Sequence, residues 1–219
     1  ITKVVVNNSN LLFLTQTGVF RFNLNGKLQQ SITRPYPEEL SAISDLNFDA
    51  TRNLMELYDN KNKQVLWYDT TSNLVEKVDV NLNGFTVATY PQMIAVFVGS
   101  DYWDPGVDHK LYFVDKNGDV IDRYFPIAQN EKQFNHVADL TNFSGQEKNK
   151  LFSYAFNDTI YSINSRSLKP EYLIDFGTKA LPKNYLEASY PNVFEFYEKI
   201  KKTDYCFRVN GFMESPNHI

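Results

Sequence analysis

Cysteine and histidine are scarce in this sequence of 219 residues, which contains one cysteine, Cys206, and three histidines. A single thiol cannot form an internal disulfide, and no paired Cys or His spacing suits a structural zinc ion. The motifs HExxH and GxSxG, typical of zinc proteases and of many serine hydrolases, do not occur. These absences exclude a disulfide-stapled scaffold and a zinc finger, and they leave no familiar catalytic motif.

An excess of basic charge is also missing. Lys and Arg together number 22 and Asp and Glu number 26, which gives a net charge of −4 and a pI near 5.4. Such a balance would not displace counterions from a phosphate backbone, so we expect no nucleic-acid partner. The longest apolar runs, such as residues 93–98, are far shorter than the roughly 18 residues that a membrane-spanning helix needs. We therefore expect no transmembrane helix.

Apolar residues, by contrast, make up 42% of the chain and aromatic residues 15%, which is enough for a buried core and excludes a disordered chain. Four short aromatic-rich segments each end in Asn or Asp, at positions 23, 69, 115 and 164, so the intervals are 46, 46 and 49 residues. The segments are residues 19–23, 65–69, 111–115 and 160–164. Their spacing predicts a structural repeat.

Each repeat has the pattern of a four-stranded blade. Asn-Gly pairs at 25–26 and 117–118 supply the positive φ angles of a tight hairpin, and a charged, partly solvated strand follows, as at residues 74–80. Another hairpin precedes each pair, most clearly at residues 46–59. We interpret the recurring Asn or Asp as an acceptor for a backbone N–H at the start of the turn. The predicted fold class is all-β, a β-propeller with four-stranded blades.

The length of the chain accommodates about 4.8 repeats, since 219 divided by 46 gives that number. We expect one propeller domain over residues 1–219, with four blades and the start of a fifth at residues 205–209. Propellers close with 4–8 blades, so this predicts part of a larger ring. Helical spacing of apolar residues within 189–202 predicts one short helix inserted between blades. The sequence opens at Ile1 without Met or an apolar leader, so we expect any secretion signal to be removed or to lie outside it.

Several segments resemble the six-bladed β-propeller proteins of Bacteroidetes, which carry NHL-like repeats. These are residues 157–163, which read Asn-Asp-Thr-Ile-Tyr-Ser-Ile, together with residues 168–177 and 111–127. The resemblance covers most of the chain. It implies a six-bladed ring, an extracytoplasmic location in the periplasm or at the outer membrane, and a lipid-anchored precursor whose anchor lies upstream of Ile1. It implies no known reaction, because that family is largely uncharacterised. Residues 31–41 depart from the Gly-rich stretch of many members, so no shared role is implied for them.

The densest group of functional side chains lies between two strands of the third repeat. It comprises Asp101, Trp103, Asp104, Asp108 and His109. Carboxylates bind hard cations and an indole stacks on a sugar ring, so this group could bind calcium or a glycan. The spacing is not that of an EF-hand, and we predict no other cofactor. The alternative interpretation is a long polar hairpin turn packed under Trp103, without a ligand.

Two functional hypotheses follow. In the first, the protein is a non-catalytic propeller that binds a protein or a glycan at one end of its channel, and the absence of catalytic motifs favours it. In the second, it is an NHL-like metal-dependent lyase or a hydrolase, with His109 and His136 converging on the channel; only fold analogy supports this. The alternative interpretation is that both histidines are exposed loop residues hydrogen-bonded to the backbone. We interpret Cys206 as a buried, inert thiol.

Overall fold

The computed structural model describes residues 2–6, 9–100, 104, 106–134, 141–145, 150–164, 166–209 and 212. Within them, sixteen strands form four antiparallel sheets, and each sheet takes four strands in chain order. Blade 1 contains Lys3–Val6 (β1), Asn10–Thr15 (β2), Gly18–Asn23 (β3) and Leu28–Thr33 (β4). Blade 2 contains Asp45–Asp49 (β5), Leu54–Asp59 (β6), Gln64–Tyr68 (β7) and Leu74–Asp79 (β8). Blade 3 contains Thr86–Thr89 (β9), Ile94–Phe97 (β10), His109–Val114 (β11) and Val120–Pro126 (β12). Blade 4 contains Phe143–Ser144 (β13), Lys150–Phe152 (β14), Thr159–Asn164 (β15) and Ser167–Leu173 (β16).

This arrangement confirms the predicted all-β propeller with four-stranded blades. The fourth strands are partly solvated as predicted: Val75 in blade 2 and Val120 in blade 3 are both about half exposed. Six blades stay a prediction, because the described residues form four.

The third strand of a blade faces two neighbours, because successive side chains of a strand point to opposite sides of the sheet. In blade 2, Leu66 and Tyr68 pack with Leu12 of blade 1. Val65 and Trp67 of the same strand instead pack with the apolar side chains of blade 3. Every residue of β6 and β7 is buried as a result, which fits a blade enclosed on both faces.

The first strands of the blades are neighbours, and polar contacts join them. Nζ of Lys3 lies 2.5 Å from Oδ1 of the buried Asp45, which links blade 1 to blade 2. Oδ2 of Asp45 accepts from the backbone N–H of Val87 at 2.9 Å, which links blade 2 to blade 3. The hydroxyl of Thr86 contacts Oδ1 of Asn142 at 3.1 Å, ahead of the first strand of blade 4. These bonds orient the blades about a common axis.

Three of the four recurring Asn and Asp residues act in the turns as predicted. Oδ1 of Asn23 accepts from the backbone N–H groups of residues 25 and 27, and Asp69 and Asp115 accept from the equivalent pairs. This role is structural. In the blade 3 turn, Gly118 has a φ of +88°, and a Cβ there would overlap the carbonyl oxygen of Asp79 in blade 2. Glycine is therefore required where this turn meets the preceding blade.

Helical structure exceeds the single predicted helix. The predicted segment contains a helix at Val193–Ile200 (α2), but Lys183–Glu187 (α1) is also helical, and 3-10 helices occupy Gln129–Phe134 and Gly177–Lys179. Asn192 caps α2, because its side chain accepts from the N–H groups of residues 194 and 195. Sequence periodicity missed α1 because it spans only five residues, too few to establish a period.

The C-terminal segment follows blade 4. The N–H of Phe156 donates to the carbonyl of Phe207 at 2.6 Å, and the hydroxyl of Ser144 donates to the carbonyl of Phe212 at 2.5 Å. Residues 205–209 form no strand, and their only β-type pairing is an isolated bridge between Cys206 and Ala180. A fifth blade beginning here therefore stays a prediction. The prediction that Cys206 is buried is wrong, because the residue is exposed. Its bridge to Ala180 pairs backbone groups and does not cover the side chain.

No helix among the described residues has both the length and the apolar composition needed to cross a membrane.

Candidate functional site

The connection between β10 and β11 is the longest of its kind in the described blades. It covers residues 98–108, whereas the corresponding connection of blade 2 covers residues 60–63. Val107 is buried, and the N–H of Val98 donates to the carbonyl of Lys110 at 2.9 Å, so both ends of the connection are fixed to the blade. Asp101 and Trp103 lie outside the described residues, so packing under Trp103 stays untested.

The connections between successive blades and those between the second and third strands of a blade lie at the same end of the propeller. We call this end the loop end. The carboxylate of Asp59, at the end of β6, accepts from the N–H groups of Ser41 and Ala42, at 2.6 and 3.2 Å. It therefore holds the connection between blades 1 and 2 against the β6–β7 connection. Nζ of Lys63 in that connection lies 3.5 Å from Oδ2 of Asp104, so the long blade 3 connection is at the loop end too.

Asp104 has a turn role in this connection. Its Oδ1 accepts from the N–H of Gly106 at 3.0 Å, and its carbonyl accepts from the N–H of Val107 at 3.0 Å. This is the local bonding of an Asx turn, and it supports the interpretation of a polar turn for this part of the group.

Asp108 and His109 come together with two residues that sequence reasoning did not select, Tyr112 and Arg123. Oδ1 of Asp108 lies 2.7 Å from Nδ1 of His109 and accepts from the hydroxyl of Tyr112 at 2.9 Å. Oδ2 accepts from Nη1 of Arg123 at 2.9 Å. The Asp108 side chain is nevertheless 54% exposed, and that of His109 is 19% exposed. We call these four residues the Asp108 cluster. The sequence signal for Tyr112 and Arg123 is their register, since they face each other across β11 and β12.

Hydrogen bonding fixes the charge of the Asp108 cluster. The bond from His109 lowers the pKa of Asp108 most, desolvation opposes it, and the hydroxyl of Tyr112 and the charge of Arg123 lower the pKa further. Burial raises the pKa of Tyr112, so its hydroxyl stays protonated. That hydroxyl also accepts from the backbone N–H groups of residues 108 and 109, which ties the end of the connection to β11. The cluster thus presents a persistent carboxylate beside an imidazole and a guanidinium.

The cluster continues into the helical region of the loop end. The N–H of Ile127 donates to the carbonyl of Asp108 at 2.9 Å, and Nζ of the buried Lys110 donates to Oε1 of Glu131 at 2.6 Å. Glu131 belongs to the 3-10 helix Gln129–Phe134. This helix and the α1–α2 connection enclose a groove of about 530 Å³. The helical content near residue 195 was predicted from the sequence, but its contact with the 3-10 helix was not.

Side-chain amides hold the walls of the groove together. Gln133 accepts from the N–H of Tyr190 at 3.0 Å and donates to the carbonyl of Ala188 at 2.9 Å, and Asn130 donates to the carbonyl of Leu186 at 3.1 Å. These amide contacts are structural. Phe194 lies along the groove and is 74% exposed, so the groove has an apolar side chain open to solvent.

Metal-ligating side chains do not converge in the described part of the chain. There, no group of three His, Cys, Asp or Glu residues is placed to hold a metal ion. His136, like His218, falls outside the described residues, so its convergence with His109 is not tested. Calcium binding also stays a prediction, because Asp101 lies outside the described residues.

A family model described as "Domain of unknown function (DUF4934)" matches residues 1–219. The chain belongs to this family. No curated protein matches its sequence.

Two solved structures are similar to the DUF4934 chain. One is a Bacteroides fragilis protein whose name classes it as exported, with 17% identity and a TM-score of 0.69 over 92% of this chain and 59% of that one. The other is virginiamycin B lyase from Staphylococcus aureus, with 11% identity and a TM-score of 0.50 over 80% of this chain and 56% of that one. The chain thus spans less than two thirds of either structure. At these identities the similarity concerns the fold alone, and at that level the expected likeness to Bacteroidetes propellers is confirmed.

Proposed function

We propose that this DUF4934 protein is a non-catalytic, extracytoplasmic propeller that binds a protein or a glycan at its loop end. The observation that carries the proposal is the Asp108 cluster: a half-exposed carboxylate, held in a fixed orientation by three side chains, beside a long connection and a groove. Preorganised polar groups on loops of a rigid scaffold are the usual basis of recognition.

The same bonds argue against Asp108 as a general base. A catalytic base works best when its pKa lies near the working pH, whereas hydrogen bonds lower the pKa of Asp108. Both of its oxygens already accept from protein donors. These features suit a group that accepts hydrogen bonds from a ligand better than one that removes a proton.

The proposed location and ring size rest on the comparisons and on the repeat spacing. An extracytoplasmic site, with a lipid anchor upstream of Ile1, is supported by the similar Bacteroides fragilis protein that is named as exported. A six-bladed ring with NHL-like repeats is supported by the repeat spacing and by the greater length of both similar structures. Sequencing of the encoding gene and globomycin-sensitive processing of the precursor test the anchor.

The binding proposal is tested by a glycan array and by capture of proteins from the cell envelope, each followed by affinity measurement. We expect Asp108→Asn to weaken binding by about tenfold or more, because hydrogen bonds to charged groups contribute about 1.5–3 kcal/mol. The matched control is Asp119→Asn, which makes the same chemical change at an exposed turn residue. Equal affinity of the wild type and Asp108→Asn would place the ligand elsewhere.

The competing lyase or hydrolase hypothesis predicts a bound metal. Elemental analysis of the purified protein tests it directly. A stoichiometric divalent ion that is lost in Asp108→Asn or His109→Ala, but retained in Asp119→Asn, would overturn the non-catalytic proposal.

A further inference from the structure

Blade 1 has an apolar face that no other described blade covers. On the side away from blade 2, Val4 and Val6 are 47% and 59% exposed. Phe13 and Phe22 lie on the same side, with their rings edge to face at 5.6 Å, and are only partly buried. An exposed apolar patch of this kind marks an interaction surface more often than it marks ordinary protein surface.

The strand register shows that these side chains form one continuous face. Val6 pairs with Leu11, Leu11 with Phe22 and Phe22 with Leu28, so one row of directly opposed residues crosses all four strands. Val4 and Phe13 belong to the neighbouring row. Opposed residues in a sheet project to the same side, and the row is apolar from the inner strand to the outer one.

Equivalent positions in the next two blades identify the type of surface that this face accepts. Phe20 and Phe22 lie three residues and one residue before the turn residue Asn23. The residues at the same distances before Asp69 and Asp115 are Leu66 and Tyr68 in blade 2, and Tyr112 and Val114 in blade 3. These four residues are buried against the preceding blade. Phe20 and Phe22 have the same register and the same apolar character, but the described residues include no preceding blade.

We propose that the outward face of blade 1 is the docking surface for a further four-stranded blade of the same polypeptide. That blade would pack on Phe20 and Phe22 as blade 1 packs on Leu66 and Tyr68. The similar structures support this occupant, because the chain spans only 59% and 56% of their lengths and a polypeptide of that size has room for more blades. The inference rests on the larger ring proposed above, for which it names the packing surface, and it is independent of the ligand at the loop end.

The test uses the protein as its gene encodes it, with Cys206 changed to Ser so that no native thiol remains in residues 1–219. Val6→Cys places a thiol on the proposed docking surface. Val75→Cys is the matched control, because Val75 is 56% exposed and lies on the solvated strand β8. Maleimide labelling rates are measured for both variants under native conditions and in denaturant, over a range of protein concentrations.

We expect the thiol at position 6 to react on the order of 100-fold more slowly than that at position 75, at every protein concentration, and equally fast in denaturant. Equal native rates would overturn the proposal, since the face would then be open. Protection that disappears on dilution would also overturn it, because the occupant would then be a second copy. Val4→Cys gives a second reading of the same face if the first variant does not fold. Loss of ligand binding by Asp108→Asn leaves this result unchanged, so the two proposals fail separately.

Discussion

Blades 1 and 2 have the same four-strand register, but they differ in what covers them. Blade 2 lies between two neighbours, and all residues of its second and third strands are buried. In blade 1 the corresponding strands bury only the side that faces blade 2, and Phe20 and Phe22 on the other side remain partly exposed. The comparison shows that a blade is not an independent unit: its apolar faces are completed by the blades beside it.

The largest expected effect comes from a matched pair of core truncations. Leu66 is fully buried against blade 1, so Leu66→Ala should lower the free energy of unfolding by about 2–5 kcal/mol. Phe20 occupies the equivalent position of blade 1. If a further blade covers it, Phe20→Ala should cost about 3–5 kcal/mol in the full-length protein.

Denaturant unfolding of both variants provides the measurement. A loss below about 1 kcal/mol for Phe20→Ala, beside a large loss for Leu66→Ala, would show that the blades differ in the full-length protein as well. The control is Val75→Ala on the solvated strand β8, where little change is expected.

Much of this comparison could be predicted from the sequence. The turn residues Asn23, Asp69 and Asp115 recur at equal intervals because each bonds the backbone of its own turn, a local interaction that any repeat must preserve. The four strands of each blade could be predicted from the same spacing. Local patterns therefore predicted the blades and their order.

The candidate site was harder to predict, because its contacts connect distant parts of the chain. Arg123 reaches Asp108 only because β12 pairs with β11, and the groove forms because residues 129–134 meet residues 187–194. Neither contact leaves a periodic signal in the sequence. Asp104 and Asp108 were selected together, yet one forms a turn while the other joins a cluster, since their hydrogen-bond partners come from different elements.

A smaller effect is expected at the position where blade 2 carries Tyr58 and blade 1 carries Leu14. The buried hydroxyl of Tyr58 donates to the carbonyl of Leu82 at 2.6 Å and accepts from the N–H of Gly84 at 2.7 Å. Tyr58→Phe leaves both backbone groups buried without this partner, so we expect a loss of about 1–3 kcal/mol in the free energy of unfolding.

The matched control for Tyr58→Phe is Leu14→Met, which conserves volume and should cost less than about 1.5 kcal/mol. Thermal or denaturant unfolding distinguishes the two. A loss below about 0.5 kcal/mol for Tyr58→Phe would mean that the hydroxyl of Tyr58 does not stabilise the connection between blades 2 and 3.

The smallest effect concerns the turns, where blade 2 has Asp69 and blade 1 has Asn23. Hydrogen bonds, foremost that from the backbone N–H of Asn73, lower the pKa of Asp69 to about 2. A carboxyl group with a lowered pKa stabilises the fold above its ordinary pKa of about 3.9, and this stabilisation is lost as the pH falls toward 2. Asn23 accepts the same bonds without titrating. We therefore expect Asp69→Asn to fold normally and to lose less stability than the wild type between pH 4 and pH 2, whereas Asp69→Ala lowers the melting temperature at neutral pH. Carboxyl-carbon NMR titration measures the pKa directly, and a midpoint near pH 4 would contradict the difference proposed between the two turns.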